Sequence, residues 1–399
     1  MPSIESTGFP LVFKVSEASG ASGGNTVTIE VDTHVRSLEG MQKEALVTIA
    51  PDDVVWRLAC DEGPYLNGKD MAPFPLGFFS AGMQFCFLSQ FLQGARAQGV
   101  TIDAVSLVQD NFYTMEGSFL RGDAKGGAKP AELRLKVDSG ADASTIAALA
   151  RMAEQSSPTQ SLMRSVLHNT FSLVLNGHRL NIPGIAPSQS PSDDDPAAGF
   201  EAVAPGSTPF LLDIITRVKK GEAVHGVEGG AGSSLKAEQK RTLHIHCEAQ
   251  QLENMLMETT IHLYKPIGSS FRFVCDETEA NGGKGHAPPP LAYVSAGVGF
   301  CFMTQLGRYA TIAKHKLDSY RIAQHTSFPF TGSLADGTRT GTIGPVDTQV
   351  FLDAEYANEA DAPKLVDMGQ QTCFLHAAMR SKHPSRIAVE LNGKELSSH

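Results

Sequence analysis

Residues 26–32 alternate between apolar and polar side chains, as a strand with one buried face does. Residues 45–49 and 54–59 read as further strands, separated by turn-forming clusters such as Asp-Glu-Gly-Pro and Asn-Gly-Lys-Asp. The pattern then changes. From 74 to 92, and again from 288 to 306, nearly every position is apolar or small. Pro75 and Pro290 stand where a first helical turn tolerates proline. Each run therefore predicts a helix buried on most faces and packed closely through Ser80-Ala81-Gly82 or Ser295-Ala296-Gly297. A second helix is predicted from about Asp142 and from about Glu359, with last strands at 171–175 and 387–391. Strands segregated from two helices predict an α+β fold, not a doubly wound sheet. The two apolar runs approach membrane-spanning length. They contain Ser and Gln and lack flanking basic anchors, which favours a buried helix over a membrane span.

The two halves repeat one another. Residues 56–90 align with 271–305 without a gap. Arg57 meets Arg272, and Cys60-Asp61-Glu62 meets Cys275-Asp276-Glu277. Pro75-Leu76 meets Pro290-Leu291, and Phe85-Cys86-Phe87 meets Phe300-Cys301-Phe302. Leu38-Glu39 parallels Leu252-Glu253, and Leu175-Asn176-Gly177 parallels Leu391-Asn392-Gly393. This places one unit at 9–182 and a second at 236–399. Residues 183–235 form a linker or surface excursion rich in Pro, Ser and Gly, with a short element between 210 and 220. A chain of 399 residues suits two such units.

Composition narrows the function. The net charge of −10 and the lack of a basic stripe argue against a nucleic-acid partner. Residues 1–20 show no positively charged start followed by an apolar core, so a cytoplasmic location is expected. Six cysteines in 399 residues are too few for a disulfide scaffold. In a reducing compartment they point to catalysis, redox work or metal binding.

The order of elements, the Asp-Glu loop, the Gly/Asn-rich turn, residues 72–76 and 287–291, and the helices through Cys86 and Cys301 resemble the OsmC/Ohr (organic hydroperoxide resistance) superfamily. The resemblance covers most of each unit. It implies antiparallel sheets around buried central helices, and an intramolecular pseudo-dimer in place of the family's intertwined homodimer. It also implies sites at the interface between units, reduction of organic hydroperoxides by two cysteines, and a thiol reductant that resets them. No cofactor or metal is implied, and further self-association is left open.

Carried over residue by residue, the family's attacking cysteine falls on Cys301 and Cys86. Its resolving cysteine falls on Cys373, while the first unit has Ser157 there, followed by Pro158. Arg164 and Arg380 support that register. A thiolate that attacks a peroxide becomes a sulfenic acid, and a second thiol condenses with it to a disulfide. Only Cys301 and Cys373 can complete this within a unit, so one competent site is expected. An apolar pocket is expected from Phe300, Phe302 and Phe374 with Phe85 and Phe87 of the other unit, and His376 beside Cys373.

The family's carboxylate at the start of the central helix is missing, since Leu76-Gly77 and Leu291-Ala292 stand there. Glu62 and Glu277 are the candidates to replace it. The family's arginine falls nearest Arg36, and the activating cation is sought among Arg36, Arg57, Arg272 and Arg380. Two other readings stay open: a different cysteine enzyme attacking an electrophilic carbon or sulfur, and an interface cavity that holds an apolar ligand without turnover. His244-Ile245-His246-Cys247 suggests a metal, but on a strand Cys247 faces away from both histidines. Cys60 and Cys275, beside acidic turns, read as structural.

Overall fold

A computed structural model describes residues 2–16, 28–188, 190, 194–204, 213–221, 239–355 and 359–396. The first half runs α1 (Ile4–Thr7), β1 (Val12–Ser16), β2 (Thr28–Ser37), β3 (Lys43–Ile49), β4 (Val54–Cys60), α2 (Pro75–Ala97) and β5 (Ala104–Gly117). It continues with β6 (Lys125–Ala128), β7 (Glu132–Asp138), α3 (Ala143–Ser156), α4 (Pro158–Arg164), β8 (Thr170–Leu175) and β9 (His178–Leu180). α5 (Ala197–Glu201) and β10 (Ile215–Lys219) lie between the halves. The second half runs β11 (Gln239–Glu253), β12 (Leu256–Lys265), β13 (Ser270–Cys275), α6 (Pro290–Ile312), β14 (Leu317–Thr331), β15 (Thr340–Gly341) and β16 (Asp347–Ala354). It ends with α7 (Ala362–Thr372), α8 (Phe374–Met379), β17 (Arg386–Leu391) and β18 (Lys394–Glu395). Residues 26 and 27 of the first expected strand, and residues 189, 191–193, 205–212 and 222–235 of the expected linker, lie outside the described residues.

The fold is α+β, with two nine-stranded sheets enclosing the central helices α2 and α6. Both helices are buried along nearly their whole length. They meet through their small residues. A Cβ on Gly82 would lie 2.7 Å from the backbone nitrogen of Val294, and one on Gly297 would lie 2.6 Å from that of Phe79. No larger side chain fits either position without moving a helix.

Neither half owns a sheet. In one sheet, β1 to β4 of the first half are continued by β14 and β16 of the second, and then by β8 of the first. In the other, β10 to β13 are continued by β5 and β7, and then by β17. β2 pairs with β14, and β11 pairs with β5. The sheets are antiparallel except at one junction each, where β8 runs parallel to β16 and β17 parallel to β7. The two halves are thus bound by ladders of backbone hydrogen bonds as well as by the helix pair.

The described part of the 183–235 segment that precedes β10 contacts the first sheet. Asp195 pairs with Arg321 at 2.6 Å, and Phe200 of α5 stacks under the Arg36 guanidinium. The short element expected between 210 and 220 is the edge strand β10.

Candidate active site

The helix that follows β16 breaks at Cys373. This residue ends α7 in an extended conformation (φ −65°, ψ 120°) and starts α8. Ser157 occupies the same kink between α3 and α4 (φ −81°, ψ 115°), and its hydroxyl caps the second helix by accepting from Gln160 N. Neither residue sits inside a helix; each stands at the junction between two. The kink aims each side chain at the central helix of its own half. Cys373 hydrogen bonds to Cys301. Ser157 Oγ donates to Cys86 Sγ at 3.3 Å. All four residues are buried, and the cysteines are reduced.

Around the second-half pair, His376 Nδ1 lies 3.2 Å from Cys373 Sγ. The imidazole is wedged between Phe171 and Phe302. Burial pushes the Cys301 thiol up, and the proton it shares with Cys373 raises it further. Burial acts the same way on Cys373, but the Cys301 thiol and His376 outweigh it and hold Cys373 well below the ordinary thiol range. Of the two sulfurs, Cys373 is the one whose surroundings favour negative charge, and Cys301 the one whose surroundings oppose it. Backbone N–H groups of Leu375 and Phe374 point to Cys301.

Cys301 also borders a cavity of about 30 Å³ that reaches the other half of the chain. Its lining includes Glu62, Tyr65, Leu66 and Phe74 from the first half, and Cys301 and Phe374 from the second. Tyr65 donates to Glu62 Oε2 at 2.6 Å. Burial lifts the Glu62 carboxyl to about 7. Burial also lowers two neighbouring guanidiniums, Arg308 to about 10 and Arg241 to about 9, and Glu62 opposes both shifts. Arg308 lies within electrostatic reach of Cys301. Its guanidinium stacks over Phe119 at 5.3 Å and donates to Gln305 Oε1 at 2.9 Å.

The first-half pair faces a larger space. Cys86 borders a cavity of about 440 Å³ that Glu277 also lines. Each cavity thus joins one half's central-helix cysteine to the other half's Asp-Glu loop. Burial raises the Cys86 thiol, and Glu277 adds to that rise.

Several expected site residues stand elsewhere. Arg36 is not brought to either thiol. Val35 faces α6, since a Cβ on Gly299 would lie 2.8 Å from Val35 Cγ2. Its strand neighbour Arg36 therefore points to the opposite face of the sheet, where Glu44 binds it at 2.6 Å. Arg57 shares Glu44 at 2.7 Å, and Arg272 pairs with Glu258 at 2.5 Å. Of the four nominated cations only Arg380 lies within electrostatic reach of Cys373. Its guanidinium also holds the carbonyls of Gln370 and Gln371 at 2.7 and 3.0 Å.

Of the five phenylalanines expected to form the pocket, Phe374 lines the Cys301 cavity. Phe302 packs on His376. Phe300 packs against Phe78, Phe85 against Tyr293, and Phe87 is fully buried. Residues adjacent to a helical cysteine point about 100° away from it, which turns Phe300 and Phe85 into the helix interface.

His244 and His246 share Asp110 at 2.6 and 2.9 Å, while Cys247 is fully buried on the other face of β11. Among the described residues no cluster of three His, Cys, Asp or Glu side chains is arranged to hold a metal. Burial raises Cys60 and Cys275 well above the thiol range. Among the described residues, no helix is long and apolar enough to cross a membrane.

Sequence reasoning missed Arg308, Arg241 and Tyr65. Arg308 left a signal: it is the sole charged residue in the 23 residues of α6, two helical turns beyond Cys301.

The stretch 283–389, from the Gly-rich turn through α6 and Cys373 into β17, matches the family model of the OsmC-like proteins. The second half carries an OsmC-like domain. Among solved structures, an OsmC-like hydroperoxide resistance protein from Jannaschia sp. CCS1 aligns at 19% identity over 39% of this chain and 97% of that one, with a TM-score of 0.26. No curated protein matches the chain. The OsmC-like domain contains both members of the thiol pair and the Arg308 beside it. Glu62 and Tyr65 reach the same cavity from outside the matched stretch.

Proposed function

We propose that the chain reduces organic hydroperoxides with a dithiol reductant, through Cys301 and Cys373, as an oxidoreductase of a reducing compartment such as the cytoplasm. The observation that carries this reading is the buried pair of free cysteines, with an imidazole 3.2 Å from one sulfur and a guanidinium and a carboxyl near the other.

Cys301 is the sulfur that borders the cavity, so it is the one that attacks. Its proton passes to Cys373, and the Cys301 thiolate attacks the outer peroxide oxygen. The O–O bond breaks, an S–O bond forms, and the alkoxide leaves. Glu62, protonated below about pH 7, supplies the proton that makes it an alcohol. Arg308 favours the negative charge on Cys301 during attack. Cys373 then attacks the sulfenic sulfur, its proton leaves with the hydroxyl as water, and a disulfide remains. An external dithiol reduces that bond and is itself oxidised to a disulfide.

The cavity of about 30 Å³ is the share of about one water molecule. It admits the peroxide oxygens and leaves the alkyl group at the mouth, against Leu66, Leu243, Leu263 and Phe374. This favours a substrate with an apolar body.

The test is steady-state reduction of cumene hydroperoxide with a dithiol in excess. Turnover is expected for the intact chain and none for Cys301→Ser. Equal rates for the two proteins would remove the proposal.

A further inference from the structure

The aligned positions that close the Cys301 cavity open its counterpart. Tyr65, whose hydroxyl donates to Glu62, aligns with Ala280, and Phe74 aligns with Pro289. Phe374, one residue after Cys373, stands where Pro158 follows Ser157. These smaller residues accompany the cavity of about 440 Å³ beside Cys86, which is within the size range of small-molecule sites.

The groups around that cavity differ in how far their hydrogen-bonding capacity is used. Both oxygens of Glu277 are occupied: one accepts from Ser89, the other from Asn281 Nδ2 at 3.1 Å. The Cys86 thiol is engaged by Ser157. Arg339 is different. Its guanidinium lies 4.6 Å from the centre of the Phe330 ring, and its Nε has no hydrogen-bond partner among the described residues. Gln90, only 6% exposed, also lines the cavity, and its Oε1 has no partner. Much of the remaining wall is apolar, including Ile29, Ile49 and Leu291.

We infer that this cavity is a binding site for a small amphipathic carboxylic acid, its carboxylate on Arg339 and its apolar body along Ile29, Ile49 and Leu291. A guanidinium on an aromatic face, with donors unused, suits a carboxylate. The site is distinct from the thiol pair and needs no redox chemistry. Cys86 has a serine where Cys373 stands, and Glu277 beside it opposes a thiolate. The cysteine is a wall of the cavity.

The experiment is titration calorimetry of the full chain with decanoate and, separately, decanol. Decanoate is expected to bind one per chain, at least tenfold more tightly than decanol. Ala280→Tyr, which copies the residue of the closed half at an exposed position, should abolish binding of both. Arg339→Met should weaken decanoate at least tenfold and leave decanol unchanged, while Arg339→Lys keeps the preference for the acid. Cys301→Ser should leave decanoate binding as it is, which separates this site from the peroxidase reading. Equal affinity for acid and alcohol, no binding at millimolar decanoate, or binding that survives Ala280→Tyr would each overturn the inference.

Discussion

Cys86 and Cys301 occupy the same place in two copies of one helix, yet their surroundings have diverged in opposite directions. Cys301 has a second sulfur, an imidazole and Arg308 within reach, and a cavity of about 30 Å³. Cys86 has a hydroxyl in place of the sulfur, Gln160 aligned with His376, Gln93 aligned with Arg308, and a cavity of about 440 Å³. Where the cysteine pair is complete the space has closed, and where the space is open the second sulfur is missing. A homodimer of identical sites cannot diverge in this way, because every substitution falls on both sites at once. Fusing the two copies in one chain removes that constraint.

The strongest way to break the contrast is to make the second half resemble the first. Cys373→Ser should abolish turnover with cumene hydroperoxide and leave Cys301 oxidised beyond the sulfenic acid, seen as a gain of two or three oxygens by mass spectrometry. Glu62 offers a second lever. Its folded value of about 7 stands above the ordinary carboxylate value near 4.5, so the folded chain holds a proton the unfolded chain has lost between those two pH values. That burial costs stability progressively as pH rises from about 4.5 to about 7. The full cost above pH 7 is about 3 kcal/mol. Glu62→Gln should therefore gain on the parent protein across this window, by up to about 3 kcal/mol in urea unfolding, and show no pH-dependent gain below it. Arg308→Gln should slow the reaction of Cys301 with hydroperoxide by about tenfold in stopped flow, the factor that one unit of thiol pKa represents. Smallest is the converse substitution. Ser157→Cys should allow a disulfide to Cys86 under diamide, with no measurable gain in hydroperoxide turnover, since neither an imidazole nor a guanidinium is aligned there.

Much of this contrast is written in the sequence. The family register, supported by Arg164 and Arg380, set Ser157 against Cys373, and both side chains approach the aligned cysteines of the central helices. Pro75 and Pro290 start those helices as expected. Period-two alternation separated Cys247 from His244 and His246. What local pattern does not carry is the pairing between halves. The alternation of β5 says which face is buried, and nothing about β11 as its partner. Arg36 was chosen as the arginine nearest the family position, although the same alternation, applied to Val35 and Arg36, turns it away from α6. Arg308 was legible as the sole charge of an apolar helix. Glu62 was nominated from its Asp-Glu loop, but its place near Arg308 was not legible, because they meet only after the chain has crossed between the two sheets.

The most direct test is peptide mapping after one equivalent of cumene hydroperoxide is added to the fully reduced chain. A link between Cys301 and Cys373, with Cys60, Cys86, Cys247 and Cys275 still alkylatable after unfolding, is the predicted result. Six alkylatable thiols, or oxidation confined to Cys86, would contradict it.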